Sequence, residues 1–434
     1  MNTIKVIGAG LAGCEAAHRL AGRGFSVALY EMKPHARSPA HHSDNFAELV
    51  CSNSLKATRI SSAAGLLKAE MHMFGSLLLN CAASCAVPAG GALAVDREKF
   101  SALVTNEIER NPNITVIRRE VAELPPGPVI IATGPLTSPA FSEAIAARCG
   151  REHLSFFDAA SPIIAADSLD MNVIFPAARY GRGGDDYLNC PMNKEEFDRF
   201  YDALISARSA ELKDFEREEM RVYEGCMPVE ALAKRGRDAL RFGPLKPVGL
   251  TDPRTGRRPW AVVQLRQENS SATLYNMVGF QTSLLFGEQK RVFSMIPGLE
   301  GAEFARCGVM HRNTFLDSPR LLDEAFALRD DPLTFFAGQI TGVEGYMESA
   351  AGGIIAAEQL ARRLRGEPAL ILPEETMLGA LCRYISDQGV ENFQPMGANM
   401  GLLPPLDRRV KNKQERYQAL AERALHLIYH INPM

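Results

Sequence analysis

The 434-residue chain has no apolar run long enough to cross a bilayer. Its longest ones, such as that between Gly127 and Gly134, fall far short of the roughly 20 residues that a spanning helix needs. The amino end lacks a basic stretch followed by an apolar segment and a cleavage site, so a cytoplasmic protein without membrane contact is expected. Cys81 and Cys85 stand four apart, but no second pair of Cys or His accompanies them at ligand spacing, and no metal site is expected. The nine cysteines are odd in number and follow no repeating interval. That excludes a disulfide framework, suits a reducing compartment, and makes any special cysteine a catalytic one. Charge bias is missing too, since 48 basic and 51 acidic residues give a net charge of −3. The total argues neither for nor against nucleic acid, which is bound by local clusters of Lys and Arg. There is no internal repeat, no low-complexity tract and no sign of an obligate protein partner.

What is present is the composition of an ordinary globular protein, 46% apolar and 23% charged. The length exceeds that at which single cores stop growing, so two domains, or one with a large insertion, are expected. Thr3 to Ile7 is a β-branched run that meets Gly8, and Leu11 to Leu20 is Ala-rich with apolar residues at helical spacing. A second apolar run, Phe25 to Tyr30, ends at Glu31 and completes a βαβ unit. The pattern predicts helix from Ser52 to Asn80 and again from Asp96 to Glu109, then a buried strand at Val129 to Thr133 closed by Gly134 and Pro135. Between about Phe156 and Cys307 the chain turns to alternating strands and turn signals such as Asp252-Pro253-Arg254-Thr255-Gly256. That segment also holds a helix predicted over Lys194 to Met220, with Phe197, Phe200, Tyr201, Leu204 and Ile205 on one face. The α/β pattern resumes with a strand at Leu333 to Gly338 and a helix from about Ser349 to Leu364. The expected fold is therefore α/β: a Rossmann-type dinucleotide domain over residues 1–155 and 310–434, split by an inserted α+β domain over 156–309.

Gly8-Ala9-Gly10-Leu11-Ala12-Gly13 is a G-x-G-x-x-G directly after a strand and at the start of a helix. Gly8 permits the tight turn, Gly10 lets a pyrophosphate approach the backbone, and Gly13 lets helix and strand pack closely. Glu31, at the end of the second strand, stands where a carboxylate accepts hydrogen bonds from ribose hydroxyls. Two later segments point to FAD rather than NAD as the bound dinucleotide. Ile130-Ile131-Ala132-Thr133-Gly134 resembles the strand-to-glycine segment that two-dinucleotide flavoproteins place beside the pyrophosphate. Phe336-Ala337-Gly338-Gln339 resembles their late motif, which crosses the ribityl phosphate, although Gln339 stands where an acid is usual.

A narrower resemblance rests on Gly338-Gln339-Ile340-Thr341-Gly342-Val343-Glu344-Gly345-Tyr346 followed by Glu348-Ser349-Ala350-Ala351. Further matches are the stretches from Glu48 to Leu55, from Tyr223 to Glu230 and from Phe393 to Asn399. Over nearly its whole length the chain resembles the folate- and FAD-dependent tRNA uracil-54 C5-methyltransferases. The longer relatives of the glucose-inhibited division A type share the Glu344-Gly345-Tyr346 segment, but usually have a histidine where Leu11 stands and carry a large helical carboxyl-terminal domain. The resemblance implies that 5,10-methylenetetrahydrofolate supplies a carbon by way of the flavin, and that NADH or NADPH reduces the flavin. It implies Cys226 as the nucleophile toward carbon 6 of uracil and Cys51 as the proton acceptor at carbon 5. The chemistry is coherent, because carbon 5 is a poor nucleophile until a thiolate adds at carbon 6 and creates an enolate.

On the residues themselves, Cys14, Cys81, Cys149, Cys307 and Cys382 read as small buried apolar groups. Cys51 precedes Ser-Asn-Ser, which can cap a following helix whose N–H dipoles favour a thiolate, and Cys226 sits at an exposed turn between Gly225 and Pro228. Glu344 and Tyr346 suit either a hydrogen bond to cofactor or substrate or a structural role. Two basic clusters stand out, Arg408 to Arg416 and the run from Lys234 and Arg235 to Arg254, Arg257 and Arg258. On its own each reads as a solvated face; with the resemblance, the second becomes the expected tRNA-facing surface. Three functions stay open: this methylation, on tRNA or on a ribosomal uridine; a flavin oxidoreductase of small molecules; and a non-catalytic flavin- and RNA-binding assembly factor.

Overall fold

The computed structural model describes all residues except 1–2, 39, 151–153, 160, 182–183, 210–226, 309, 391–392 and 432–434, and of 154–159 and 310–314 the backbone alone. The apolar runs of the amino-terminal segment become the inner strands of a six-stranded sheet. Its order is Ala327–Leu328, Asp331–Phe336, Val129–Ile131, Ile4–Ile7, Val27–Glu31, Ile114–Arg118. All neighbours are parallel except the first pair. Parallel strands covered on both faces must be apolar throughout, which is why Ile4, Val6, Ile130, Ile131 and Phe335 are wholly buried. Ile7 pairs with Ile131, and Ile131 with Phe336, so three strands end level. Their carboxyl ends release Gly8, Ala132 and Ala337 along one edge, where open α/β sheets bind their ligands.

After Ile131 the chain leaves this sheet, builds a second one, and returns at Ala327. The second sheet is antiparallel in the order Phe175–Pro176, Tyr187–Met192, Ala261–Gln267, Leu274–Met277, Ile163–Ala165, Phe304–Arg306. Its core joins Cys190, Val263 and Leu265 to Phe197, Phe200 and Leu204 of the helix Lys194–Ser206. The outgoing and returning segments, Leu154–Ala159 and Met310–Phe315, pair antiparallel as a two-stranded link.

Three expectations need correction. Ser54–Ala57 is a strand, paired with Ala92–Val95, and not the start of a helix. Ser52 and Ser54 turn their hydroxyls back onto the N–H groups of Ser54 and Lys56, offering the backbone an alternative to helix. The helices that follow are Ala63–Met73 and Leu77–Ser84, broken at Gly75, where φ is +71°, and restarted by the Ser76 cap. The helix from Lys194 ends at Ser206, where Ala207 is extended and Ser209 bridges to Leu284; the rest of its expected span, 210–220, lies outside the described residues. Ile205, expected on the apolar face, is exposed. The helix expected from Ser349 starts at Tyr346 and runs to Arg365, its entry set by Gly345 at φ +129°.

Candidate functional site

The three glycines of the first turn owe their identity to different causes. A Cβ on Gly8, where φ is +98°, would lie 2.7 Å from the Ala132 oxygen, and one on Gly13 would lie 1.8 Å from the Gly8 oxygen. Both glycines are demanded by the protein's own backbone. Gly10 has an ordinary φ of −75°, and a Cβ there would meet nothing within 4 Å. Its smallness is required by no neighbour in the chain, which is the condition for a cradle that a pyrophosphate fills. A cleft opens over this turn, lined by Gly8, Ala9, Gly10, Glu31, Thr133 and Thr137 among others. Leu11, Ala12 and Gly13 lie behind it: Ala12 packs against Gly338 and Gly353, whose Cβ atoms would come within 2.8 and 2.1 Å of it.

Glu31 is buried and locks the strand end to the turn. Its Oε2 accepts from the Ala9 N–H and its Oε1 from the Lys33 N–H, each at 3.0 Å. Each oxygen keeps a second lone pair for a ribose hydroxyl. Thr133 Oγ1 shares a hydrogen bond of 2.7 Å with Thr137 Oγ1, and Gly134 turns at φ +66°. In the late segment Gln339 donates from Nε2 to Glu344 Oε2 at 2.7 Å, so a carboxylate reaches the place where the usual acid is missing. Gly342 and Val343 form a strap: Met396 N–H donates to the Gly342 oxygen, Glu344 N–H to the Met396 oxygen, and Val343 bridges Met396. Gly338 and Gly342 both need positive φ, and a Cβ on Gly342 would strike the Phe393 ring at 2.5 Å.

Tyr346, at the start of the long helix, reaches across to Cys51. Its hydroxyl oxygen accepts from the Cys51 N–H at 2.8 Å and the Ser52 N–H at 3.1 Å, and burial pushes the phenol well above its ordinary value. The same loop is gripped by three arginines that sequence reasoning missed. Arg97 donates to the oxygens of Leu49 and of Cys51, the latter at 3.1 Å, and pairs with Glu268. Arg306 donates to the Val50 oxygen at 3.4 Å. Arg266 donates to Ser52 Oγ at 2.7 Å and Asn53 Oδ1 at 2.8 Å. Asn53 in turn donates to the oxygens of Val95 and Gln267, tying the loop to the strand Ala92–Val95 and to the antiparallel sheet. Glu348 accepts on Oε1 from Lys56 Nζ at 2.9 Å and from the Ala398 N–H at 3.0 Å. The Cys51 setting is therefore not a helix cap, as the Ser-Asn-Ser sequence suggested; the loop leads into a strand, and its cationic surroundings come from distant arginines. One signal was present: Arg266 is the only charge in the otherwise apolar and amide strand Ala261–Gln267.

Cys226 lies outside the described residues, as does the first half of the segment from Tyr223 to Glu230. Of the cysteines expected to be buried, Cys14, Cys81 and Cys382 are, but Cys149 and Cys307 are only half-buried. Lys234, Arg235, Arg254, Arg257 and Arg258 are all exposed. They are not equivalent, because Arg254 is held bidentate by Asp252 through Nε at 3.1 Å and Nη2 at 2.9 Å. Near this run, Phe242 is 76% exposed, and Arg241 stacks 3.8 Å from the centre of the Trp260 ring. No helix among the described residues is long and apolar enough to cross a membrane.

A parallel sheet with a glycine turn, an acid at the second strand end and a late glycine strap over a long helix defines an FAD-binding Rossmann protein. Residues 3–368 match the model of the glucose inhibited division protein A family, and the chain belongs to that family. It is 57% identical over 426 residues to the methylenetetrahydrofolate--tRNA-(uracil-5-)-methyltransferase TrmFO of Acetivibrio thermocellus, covering 98% of this chain and 97% of that one. A relative of the same name from Halalkalibacterium halodurans is 56% identical over 425 residues, again covering 98% and 97%. Among solved structures, GidA of Aquifex aeolicus superposes with a TM-score of 0.71 at 15% identity, covering 100% of this chain and 74% of that one, a likeness of fold.

Proposed function

We propose that this chain transfers a one-carbon unit from 5,10-methylenetetrahydrofolate to carbon 5 of a uridine in tRNA, with FAD reduced by NAD(P)H, and that the uridine is position 54. The activity is the one its full-length relatives are named for. The observation that carries the reading to particular residues is the pair of hydrogen bonds from the Cys51 loop to Tyr346, at the head of the helix that the late flavin motif launches. FAD would be held by Gly8 to Gly13, Glu31, Thr133, Gly134 and the strap from Gly338 to Tyr346, and it supplies the redox chemistry that turns the folate carbon into a methyl group. Cys226 adds through its thiolate to carbon 6 of uracil, which makes carbon 5 nucleophilic. After carbon 5 has acquired the new carbon, Cys51 takes the carbon-5 proton, and elimination returns the Cys226 thiolate. Tyr346 and the arginines fix the loop so that Cys51 meets that proton at a defined place.

Residues 156–309 are assigned to the RNA and residues 1–155 and 310–434 to the cofactor. Lys234, Arg235, Arg257 and Arg258 would meet phosphates, with Phe242 and the Arg241–Trp260 stack available to an unstacked base. The reducing setting that free thiols need agrees with the cytoplasm. Protein, NADPH, methylenetetrahydrofolate and a tRNA transcript should together yield 5-methyluridine in a nuclease digest, and replacing uridine 54 should abolish it. Product from a ribosomal fragment but not from tRNA would reassign the substrate, and flavin turnover without RNA product would leave a small-molecule oxidoreductase.

A further inference from the structure

We propose that Arg97, Arg266 and Arg306 form a cationic cage that fixes the Cys51 loop and holds its thiol ionised before substrate arrives. The inference rests on reading Cys51 as the carbon-5 proton acceptor and deepens it: an acceptor must be deprotonated when the proton is presented.

The cage is assembled from separate elements, one guanidinium for each successive residue. Arg306, on the strand Phe304–Arg306, takes the Val50 oxygen. Arg97, at the start of the helix Arg97–Glu109, takes the Cys51 oxygen. Arg266, on the strand Ala261–Gln267, takes the Ser52 hydroxyl. From the opposite side Tyr346 takes the N–H groups of Cys51 and Ser52, so the backbone around the thiol is fixed on both faces. Charged and titratable groups that couple to Cys51 include these three arginines and the Tyr346 phenol, with Glu268 beside them. Burial holds Tyr346 protonated and therefore neutral. Glu268 is the opposing charge, and it is engaged by Arg97. Among the described residues neither Arg266 nor Arg306 has a carboxylate in an ion pair, and Arg306 Nε is buried there without a hydrogen-bond partner. Burial depresses both Arg266 and Arg306, while negative charge on Cys51 and on Glu268 acts in the opposite sense. A thiolate is the anion this arrangement favours, because charge pairing in a dry site is stronger than in water.

Arg306 gives the clean test, since its contact to the loop is the longest of the three and removing its charge leaves the clamps of Arg97 and Tyr346 in place. In FAD-loaded protein without RNA, the rate of iodoacetamide labelling at Cys51 would be followed against pH by mass spectrometry of the peptide that contains it. The wild-type rate should reach half its maximum well below the ordinary thiol value near about 8.5. Arg306→Met should move that midpoint up by about one pH unit and slow labelling at pH 7 by about three- to sixfold. Arg306→Lys should restore most of it, and flavin content should match wild type in both variants. A wild-type midpoint at the ordinary thiol value, or an unchanged profile in Arg306→Met, overturns the cage. Neither result bears on the underlying role of Cys51, which is read separately from whether Cys51→Ala accumulates a covalent protein–RNA species.

Discussion

The glycine turn at residues 8–13 and the Cys51 loop at residues 49–54 are neighbours, joined where the Ala47 N–H donates to the Ala9 oxygen, yet they are built in opposite ways. In the turn, each special residue answers to a partner in the same βαβ unit or to the adjoining strand: Gly13 to Gly8, Gly8 to Ala132, Glu31 to Ala9. In the loop, the partners come from Arg97, Arg266, Arg306 and Tyr346, up to 295 positions away. The turn is a local solution to binding a phosphate, whereas the loop is a long-range solution to placing a reactive group. Substitutions should separate the two, with the turn failing by losing its ligand and the loop by losing its chemistry.

The largest effect is expected at the cysteines. Cys51→Ala and Cys226→Ala should each lower methyl transfer by about a thousandfold or more while retaining FAD. They should differ in what accumulates. Cys51→Ala still adds to uracil and stalls as a covalent protein–RNA species, because proton removal precedes release of the thiolate; Cys226→Ala forms none. Denaturing gels with transcript and cofactors decide it, and an adduct in Cys226→Ala would exchange the two roles.

Next comes the turn itself. Gly10→Val should fold, since φ is −75° and no protein atom stands within 4 Å of the new Cβ, but it should lose the yellow flavin absorbance. Gly13→Val should fail earlier, as unstable protein, because its Cβ would sit 1.8 Å from the Gly8 oxygen. Flavin spectra and thermal melts together test the distinction. A Gly10→Val protein that binds FAD as tightly as wild type would remove the cradle from this turn.

The same contrast explains what was legible. The βαβ unit, Glu31 and the later glycine segments are patterns of short range, where periodicity and turn chemistry act within the sequence that displays them. The alternation that marked 156–309 likewise became an antiparallel sheet. Ser54–Ala57 was misread because its strand partner Ala92–Val95 lies beyond any local window, and the Ser206 helix end because Ala207 to Ser209 are drawn to Leu284 and Leu285. Apart from the lone charge that marks Arg266 in its strand, the arginines around Cys51 were invisible for that reason as well. No spacing links Arg97 to Arg306 until two sheets are folded against each other.

Each side also rests on a buried carboxylate that caps a helix from elsewhere. Glu15, on the helix after the glycine turn, accepts from the N–H groups of Leu77 and Leu78; Glu70, on the helix whose Lys68 holds the Leu55 oxygen, accepts from those of Met377 and Leu378. Burial raises Glu15 to about 7 and Glu70 to about 8 despite the caps. A folded value above the unfolded one means the native state keeps protons that the unfolded chain has released, so stability falls as pH rises from about 4.5 to about 8. Glu70→Gln should flatten that fall by on the order of 5 kcal/mol, measured as unfolding free energy against pH. A slope identical to wild type would show Glu70 ionised without penalty.

The smallest effect belongs to the basic run, where sequence supplies the charges and structure ranks them. Arg257 and Arg258 are exposed with no ion-pair partner among the described residues, so each can take an RNA phosphate without first leaving a carboxylate. Arg254 must break or share its bidentate grip on Asp252, which holds it above its ordinary value and holds the aspartate below. Binding of transcript to the FAD-loaded protein, followed across salt concentration, reports the number of phosphate contacts through the slope of log affinity against log salt. Replacing Arg257 and Arg258 with Ala together should weaken binding and reduce that slope by about two, since each lost contact lowers it by about one. Arg254→Ala alone should leave the slope close to wild type, because the Asp252 carboxylate it exposes already discounted its charge. Equal slopes in all three proteins would return the run to a solvated face, and a larger loss from Arg254→Ala than from the double variant would mean that the Asp252 pair orients Arg254 for the RNA rather than withholding it.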